Sequence, residues 1–161
     1  MMNQEVTQTF CASEIAAYFI HKSTPNTENS ITNLKLQKIL YYAQGFHRAL
    51  TGENLFHDKV EAWVHGPVVP TVYRNYKKYN FRDIIPENSP EPTQLDDNVE
   101  NFLNEIWDLF KDYSGKDLEK KTHKESPWLN ARNGLPDFVY SNTEISVEDI
   151  ASYFRDNYIV D

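Results

Sequence analysis

The chain is poor in cysteine, glycine and positive charge, and each shortage excludes something. Cys11 is the only cysteine in 161 residues. No disulfide can form within the chain, and the usage agrees with a reducing cytoplasm. A reactive thiol needs an electropositive setting; the neighbours Phe10, Ala12 and Ile15 predict a buried, inert one instead. No apolar run approaches the ~18 residues of a membrane helix, so no membrane partner is expected. The opening MMNQEVTQTF lacks the basic start and apolar stretch of a secretory leader. Lys and Arg number 16 against 24 Asp and Glu, a net charge of −8. So few cations disfavour a nucleic-acid partner, whose phosphates need Lys and Arg. An acidic surface would instead attract a basic partner. The five glycines form no GxGxxG, P-loop or GxSxG.

Catalytic and metal-binding sets are missing as well. The five histidines, His21, His47, His57, His65 and His123, include no i, i+4 pair, and there is no CxxC. No metal and no cofactor is expected. Cys11 with a distant histidine could mimic a thiol hydrolase, but nothing local supports it. Asp96 and Asp97 read as helix-start residues rather than an acid/base pair. The sequence therefore reads as a non-enzyme. Lys77 and Lys78 stand beside tyrosines, and Lys116, Lys120, Lys121 and Lys124 form a second basic cluster. Both read as solvated helix faces.

Aromatics are what the chain has in quantity: ten Tyr, nine Phe and three Trp. Tyr and Trp suit both cores and interfaces. With no internal repeat and no linker, residues 1–161 read as one domain, its core spanning about 12–154. A chain this long buries roughly 70% of its unfolded surface and needs no staple. The fold class is mainly α, a single domain of five to six helices with a short strand pair around residues 59–64 and 82–85. The first helix runs from about Ala12 to Lys22. The clearest spans 33–50: Thr32 is its N-cap, Ile31 and Leu36 form a hydrophobic staple, and Gly52 stands at the C-terminal cap. Its apolar stripe runs from Leu36 to Leu50, with Lys35, Lys38, Gln44 and Arg48 expected on the polar side. Further helices are expected near Pro70, from Leu95 to Tyr113, from Ser114, and from Ser146. Residues 81–94 read as a surface loop.

Two motifs stand apart. AWVHGPVVPTVY, Ala62 to Tyr73, is stiff and apolar: Gly66 can take backbone angles other residues avoid, and Pro67 and Pro70 fix φ. It is either a core-packing turn or a docking surface carrying Trp and Tyr anchors. In THKESPW, Thr122 to Trp128, Pro127 predicts a helix-terminating turn with Trp128 packed inward.

These two runs, together with TNLKLQKILYYAQGFHRALTGENL at Thr32 to Leu55 and the Ala131-Arg132 pair, resemble the Panacea domain family, also described as SocA-like antitoxins and phage-associated GepA-like proteins. The resemblance implies an antitoxin that neutralises a protein toxin, encoded by an adjacent gene, through direct contact and without catalysis. One branch acts as a proteolytic adaptor that delivers its toxin to the ClpXP protease. The signature matches Lys35, Leu36, Gln37, Lys38, Trp63, Gly66, Pro67, Val68, Pro70, Tyr73, His123, Glu125, Pro127 and Trp128 in this chain. Lys35, Lys38, Trp63, His65, Tyr73, His123 and Trp128 are the candidate partner-binding residues. Lys35, Lys38 and His65 among them are expected to be exposed. Gly66, Pro67, Pro70 and Pro127 are the structural turn residues. Residues 81–94 and the C-terminal helix are candidates for setting partner choice.

Overall fold

The longest helix forms where the sequence carries the strongest end signals. In the computed structural model, which describes residues 9–159, α1 is Ala12–Lys22 and α2 is Asn33–Thr51. Thr32 Oγ1 accepts from the Lys35 amide at 3.2 Å, satisfying one of the donors a helix start leaves free. Gly52 closes α2 in the left-handed region. Most of residues 1–10, on which the missing leader is read, lie outside the described range.

A hairpin follows, β1 Val60–Trp63 and β2 Gly66–Val68, pairing Trp63 with Gly66 and Ala62 with Pro67. Helix α3, Pro70–Tyr76, starts with its proline in the first turn, where no donor is needed. It continues into a 3-10 turn at Lys77–Tyr79. Then come α4 Asp97–Phe110, α5 Gly115–Thr122, α6 Ser126–Arg132, β3 Glu144–Ile145 and α7 Val147–Asn157. The N-caps of α4, α5 and α7 are Asp96, Ser114 and Ser146, each accepting from the amide three residues on.

Helix α2 is the central post, with α7, α5, α1, α4 and α3 packed around it. Twelve of its residues, from Asn33 to Gly45 with the exception of Leu34, are buried. Tyr42 stacks against Phe110 at 4.5 Å and Phe154 at 5.6 Å between ring centres. Gly45 permits this approach: a Cβ there would stand 2.3 Å from the Phe154 ring and 2.4 Å from Ile150.

The structure corrects several expectations. The described residues hold seven α-helices rather than five or six, because Pro127 opens α6 where the sequence predicts a helix-terminating turn. Residues 82–85 do not pair with 59–64. Both edges of β1 are already taken, by β2 and by β3, where Val60 faces Ile145. Asp83 makes only an isolated bridge with Thr32. Cys11 is exposed, because it sits at the N-cap of α1 rather than inside its buried face. Leu50, Leu109 and Tyr113, at the ends of the expected apolar stripes, face solvent. Lys35, Lys38 and Gln44 of the expected polar side are buried.

Among the described residues, no helix is long and apolar enough to cross a membrane.

Candidate functional site

The three sequence blocks meet in space, and most of their polar atoms are consumed by one another. Helix α2 supplies Gln37 and Lys38, which face the hairpin. Gln37 Oε1 accepts from the Val69 amide at 2.9 Å while its Nε2 donates to Asn33 Oδ1 at 2.9 Å. Asn33 Nδ2 in turn donates to the Tyr73 carbonyl at 3.1 Å. Lys38 Nζ, wholly buried, donates to the Pro67 carbonyl at 3.0 Å. Gly66 is required above it: φ is +106°, and a Cβ would stand 2.8 Å from Lys38 Cε and 2.8 Å from Thr122 Oγ1. A side chain at this turn would therefore be strained in backbone and crowded in space.

The THKESPW run closes the other side. Glu125, between α5 and α6, is buried and binds three phenols. Tyr41 donates to Oε1 at 2.9 Å, Tyr42 to Oε2 at 3.0 Å, and Tyr158 to Oε2. Lys121 Nζ stands 3.8 Å from Oε2 and donates to the Tyr158 hydroxyl at 2.8 Å. Burial raises the Glu125 pKa, opposed by the Tyr158, Tyr41 and Tyr42 hydroxyls and by Lys121. The same burial, with the carboxylate beside them, pushes the three phenols up. Trp128 Nε1 donates to the Trp63 carbonyl at 2.7 Å, and the ring stacks on His123 at 4.1 Å, nearly parallel. Arg132 lies over Trp128 at 4.9 Å and donates to the Ala62 carbonyl at 3.3 Å. Lys35 is the clamp at the start of α2. Its Nζ donates to the carbonyls of Ser30 at 2.9 Å and Lys111 at 2.6 Å, binding the loop before α2 to the end of α4.

Burial holds Lys38 at about 7, against the pull of Glu119, and brings Lys35 to about 8. The unfolded chain would protonate both near 10.5. Between pH 7 and 10.5 the unfolded state therefore binds more protons, and these lysines make stability rise with pH. Below pH 7 Lys38 is charged in both states and adds no slope. We expect Lys38→Met to lose a component of that rise, up to about 1.4 kcal/mol per pH unit. Urea unfolding at stepped pH would measure it; parallel curves for the two proteins between pH 7 and 10 would contradict it.

These interlocked side chains of α2, the THKESPW run and Arg132 form a latch, and what it leaves open is a cleft of about 340 Å³ between α2, the hairpin and α3. Trp63 and Tyr73 form one wall, edge-to-face with centres 4.9 Å apart. Glu61 fixes the wall by accepting the Trp63 indole N–H at 2.9 Å. His65 and Lys116 reach the cleft from opposite elements, and both approach Glu119 Oε1, at 3.3 and 3.6 Å. Lys77 and the exposed Phe81 complete its mouth.

The candidate residues thus divide. Trp63, His65 and Tyr73 line the cleft, and Lys38 forms its floor. Lys35, His123 and Trp128 stand in the latch; Lys35 and Lys38 are buried where exposure was expected. The turn residues Gly66, Pro67, Pro70 and Pro127 are all buried in backbone turns or helix starts. Lys77 and Lys116 come from two separate basic clusters of the sequence, and no spacing signal joined them. Phe81 opens the 81–94 segment, whose sequence predicts a surface loop. Of His65, His123 and Glu125, only His65 lines the cleft. The Cys11 thiol is 3.8 Å from His57 Nε2, and desolvation with Glu14 and Asp58 raises its pKa, the opposite of activation. Among the described residues, no group of three or more His, Cys, Asp or Glu stands where it could hold a metal ion.

The family described as "Antitoxin SocA-like, Panacea domain" matches residues 36–129, more than half of the chain, from the first turn of α2 into α6. Antitoxin SocA of Caulobacter vibrioides (strain NA1000 / CB15N) is 50% identical over 55 residues, a stretch covering 34% of this chain and 29% of that protein. The match thus spans under a third of that relative's length. No solved structure matches the chain.

Proposed function

The chain belongs to the SocA-like antitoxin family with the Panacea domain, and from that premise we propose that it neutralises a cognate protein toxin in the cytoplasm by direct protein–protein contact. The toxin would be the product of the adjacent gene, and the face that meets it is the cleft walled by Trp63 and Tyr73, with His65 at its edge. One observation carries this reading: most of the signature's polar atoms are used inside the fold, whereas the aromatic wall beside them is built, braced and left open. Trp and Tyr in such a pocket are the residue types that dominate binding energy. No step of this role requires catalysis.

Co-expression with the adjacent gene's product tests the reading. The toxin alone should arrest growth, this protein should restore it, and the two should co-purify. Trp63→Ala should weaken binding roughly tenfold or more. A harmless neighbour, or lethality that this protein leaves unrelieved, ends the proposal for that pair. Toxin half-life with and without ClpXP separates simple blocking from the adaptor route the family resemblance implies: a half-life shortened only when both this protein and ClpXP are present marks the adaptor.

A further inference from the structure

The charge of the cleft is opposite to the charge of the chain. Acidic residues outnumber basic ones by 24 to 16 overall. Yet the cleft is lined by Lys38, Lys77, Lys116 and His65, and no carboxylate is among its lining residues. Two acids stand against these lining residues: Glu119, mostly buried and shared between His65 and Lys116, and Glu61, engaged by the Trp63 indole N–H. Lys77 makes no ion pair among the described residues. Beside these basic side chains stand the Trp63–Tyr73 wall and Phe81, 89% exposed. The floor residues Gln37 and Lys38 are tied by hydrogen bonds to the Val69 amide and the Pro67 carbonyl.

We infer that this cleft recognises an acidic segment of the partner protein that carries an aromatic or other large apolar side chain. The apolar group packs against Trp63, Tyr73 and Phe81. Its flanking carboxylates engage Lys77 and, in competition with Glu119, Lys116 and His65. The net charge predicts a basic partner; the local charge selects the opposite sign at the point of contact, where complementarity sets register and rejects wrong partners. A nucleic acid is the poorer occupant: its phosphates would extend along a surface whose net charge repels them. The inference rests on the neutralisation reading only for the partner's identity.

The probe is a short synthetic peptide of Asp and Glu around one Phe, titrated into the isotopically labelled full chain while the Trp63 indole and the amides of Val64, His65, Gly66, Val68 and Val69 are followed by NMR. These resonances should shift, and binding should weaken as salt rises. Lys77→Gln with Lys116→Gln should weaken it roughly fivefold while leaving thermal unfolding unchanged, since both side chains are solvent-exposed. Replacing the peptide's Phe with Ala should also weaken it. The inference falls if the acidic peptide leaves the cleft resonances unmoved. It falls equally if a peptide with Lys in place of every acid binds as well, or if a single-stranded oligonucleotide moves the same resonances more tightly. No toxin enters this experiment, so the two readings fail separately. Peptide binding without growth rescue overturns neutralisation alone. Rescue that survives Lys77→Glu with Lys116→Glu, with no peptide binding, overturns the acidic segment alone.

Discussion

Glu125→Ala should destabilise the protein by about 3–5 kcal/mol, the range for removing one member of a buried charged network. The carboxylate is the shared acceptor of Tyr41, Tyr42 and Tyr158. Its removal strands three hydroxyls, two of them deep in the packing around α2, and leaves Lys121 without its carboxylate. A buried donor that loses its acceptor costs about 1–3 kcal/mol, so the phenols alone reach the expected range. Equilibrium urea unfolding would measure the effect, and a loss below about 1 kcal/mol would show that water or a shifted side chain replaces the carboxylate. The network offers a sharper check. Glu125→Leu combined with Tyr41→Phe and Tyr42→Phe should recover much of the stability lost in Glu125→Leu alone, because apolar replacement of both partners leaves nothing unsatisfied. Additive losses across that series would contradict the network.

Trp128→Ala is the second large effect, at about 3–5 kcal/mol for deleting a fully buried tryptophan. The cavity is not the whole of it. The indole holds the Trp63 carbonyl at 2.7 Å, while Arg132 above it holds the Ala62 carbonyl. Both carbonyls belong to β1, whose end carries the cleft wall. Trp128→Phe keeps an aromatic ring against His123 but loses the donor, and should cost about 1–2 kcal/mol. It should also disturb the Trp63 indole resonance although residue 128 lines no part of the cleft. A Trp128→Phe protein of reduced stability with an unmoved Trp63 signal would separate the latch from the cleft and refute the coupling.

Helix ends were readable because their causes are local. Thr32, Asp96, Ser114 and Ser146 each satisfy an amide three residues away, so short windows of sequence contain both partners. Sheet pairing was not readable. Besides its hairpin mate β2, β1 pairs with Glu144–Ile145, more than eighty positions on, and a two-residue strand has no period to detect. Lys35 and Lys38 misled for a related reason. A lysine on a helix reads as solvated because burial of an unpaired charge is costly. Here the cost is offset by carbonyls of Ser30, Lys111 and Pro67, groups every sequence has and no side-chain pattern displays.

By itself the sequence determined the helical class, the course of α2 and the family, since capping, apolar spacing and the three motif blocks are properties of short segments. Only the tertiary structure decided which motif residues are spent on the fold and which face outward. That division depends on hydrogen bonds between α2, the hairpin and α6, and on a basic cleft assembled from Lys77 and Lys116, thirty-nine positions apart, within an acidic chain.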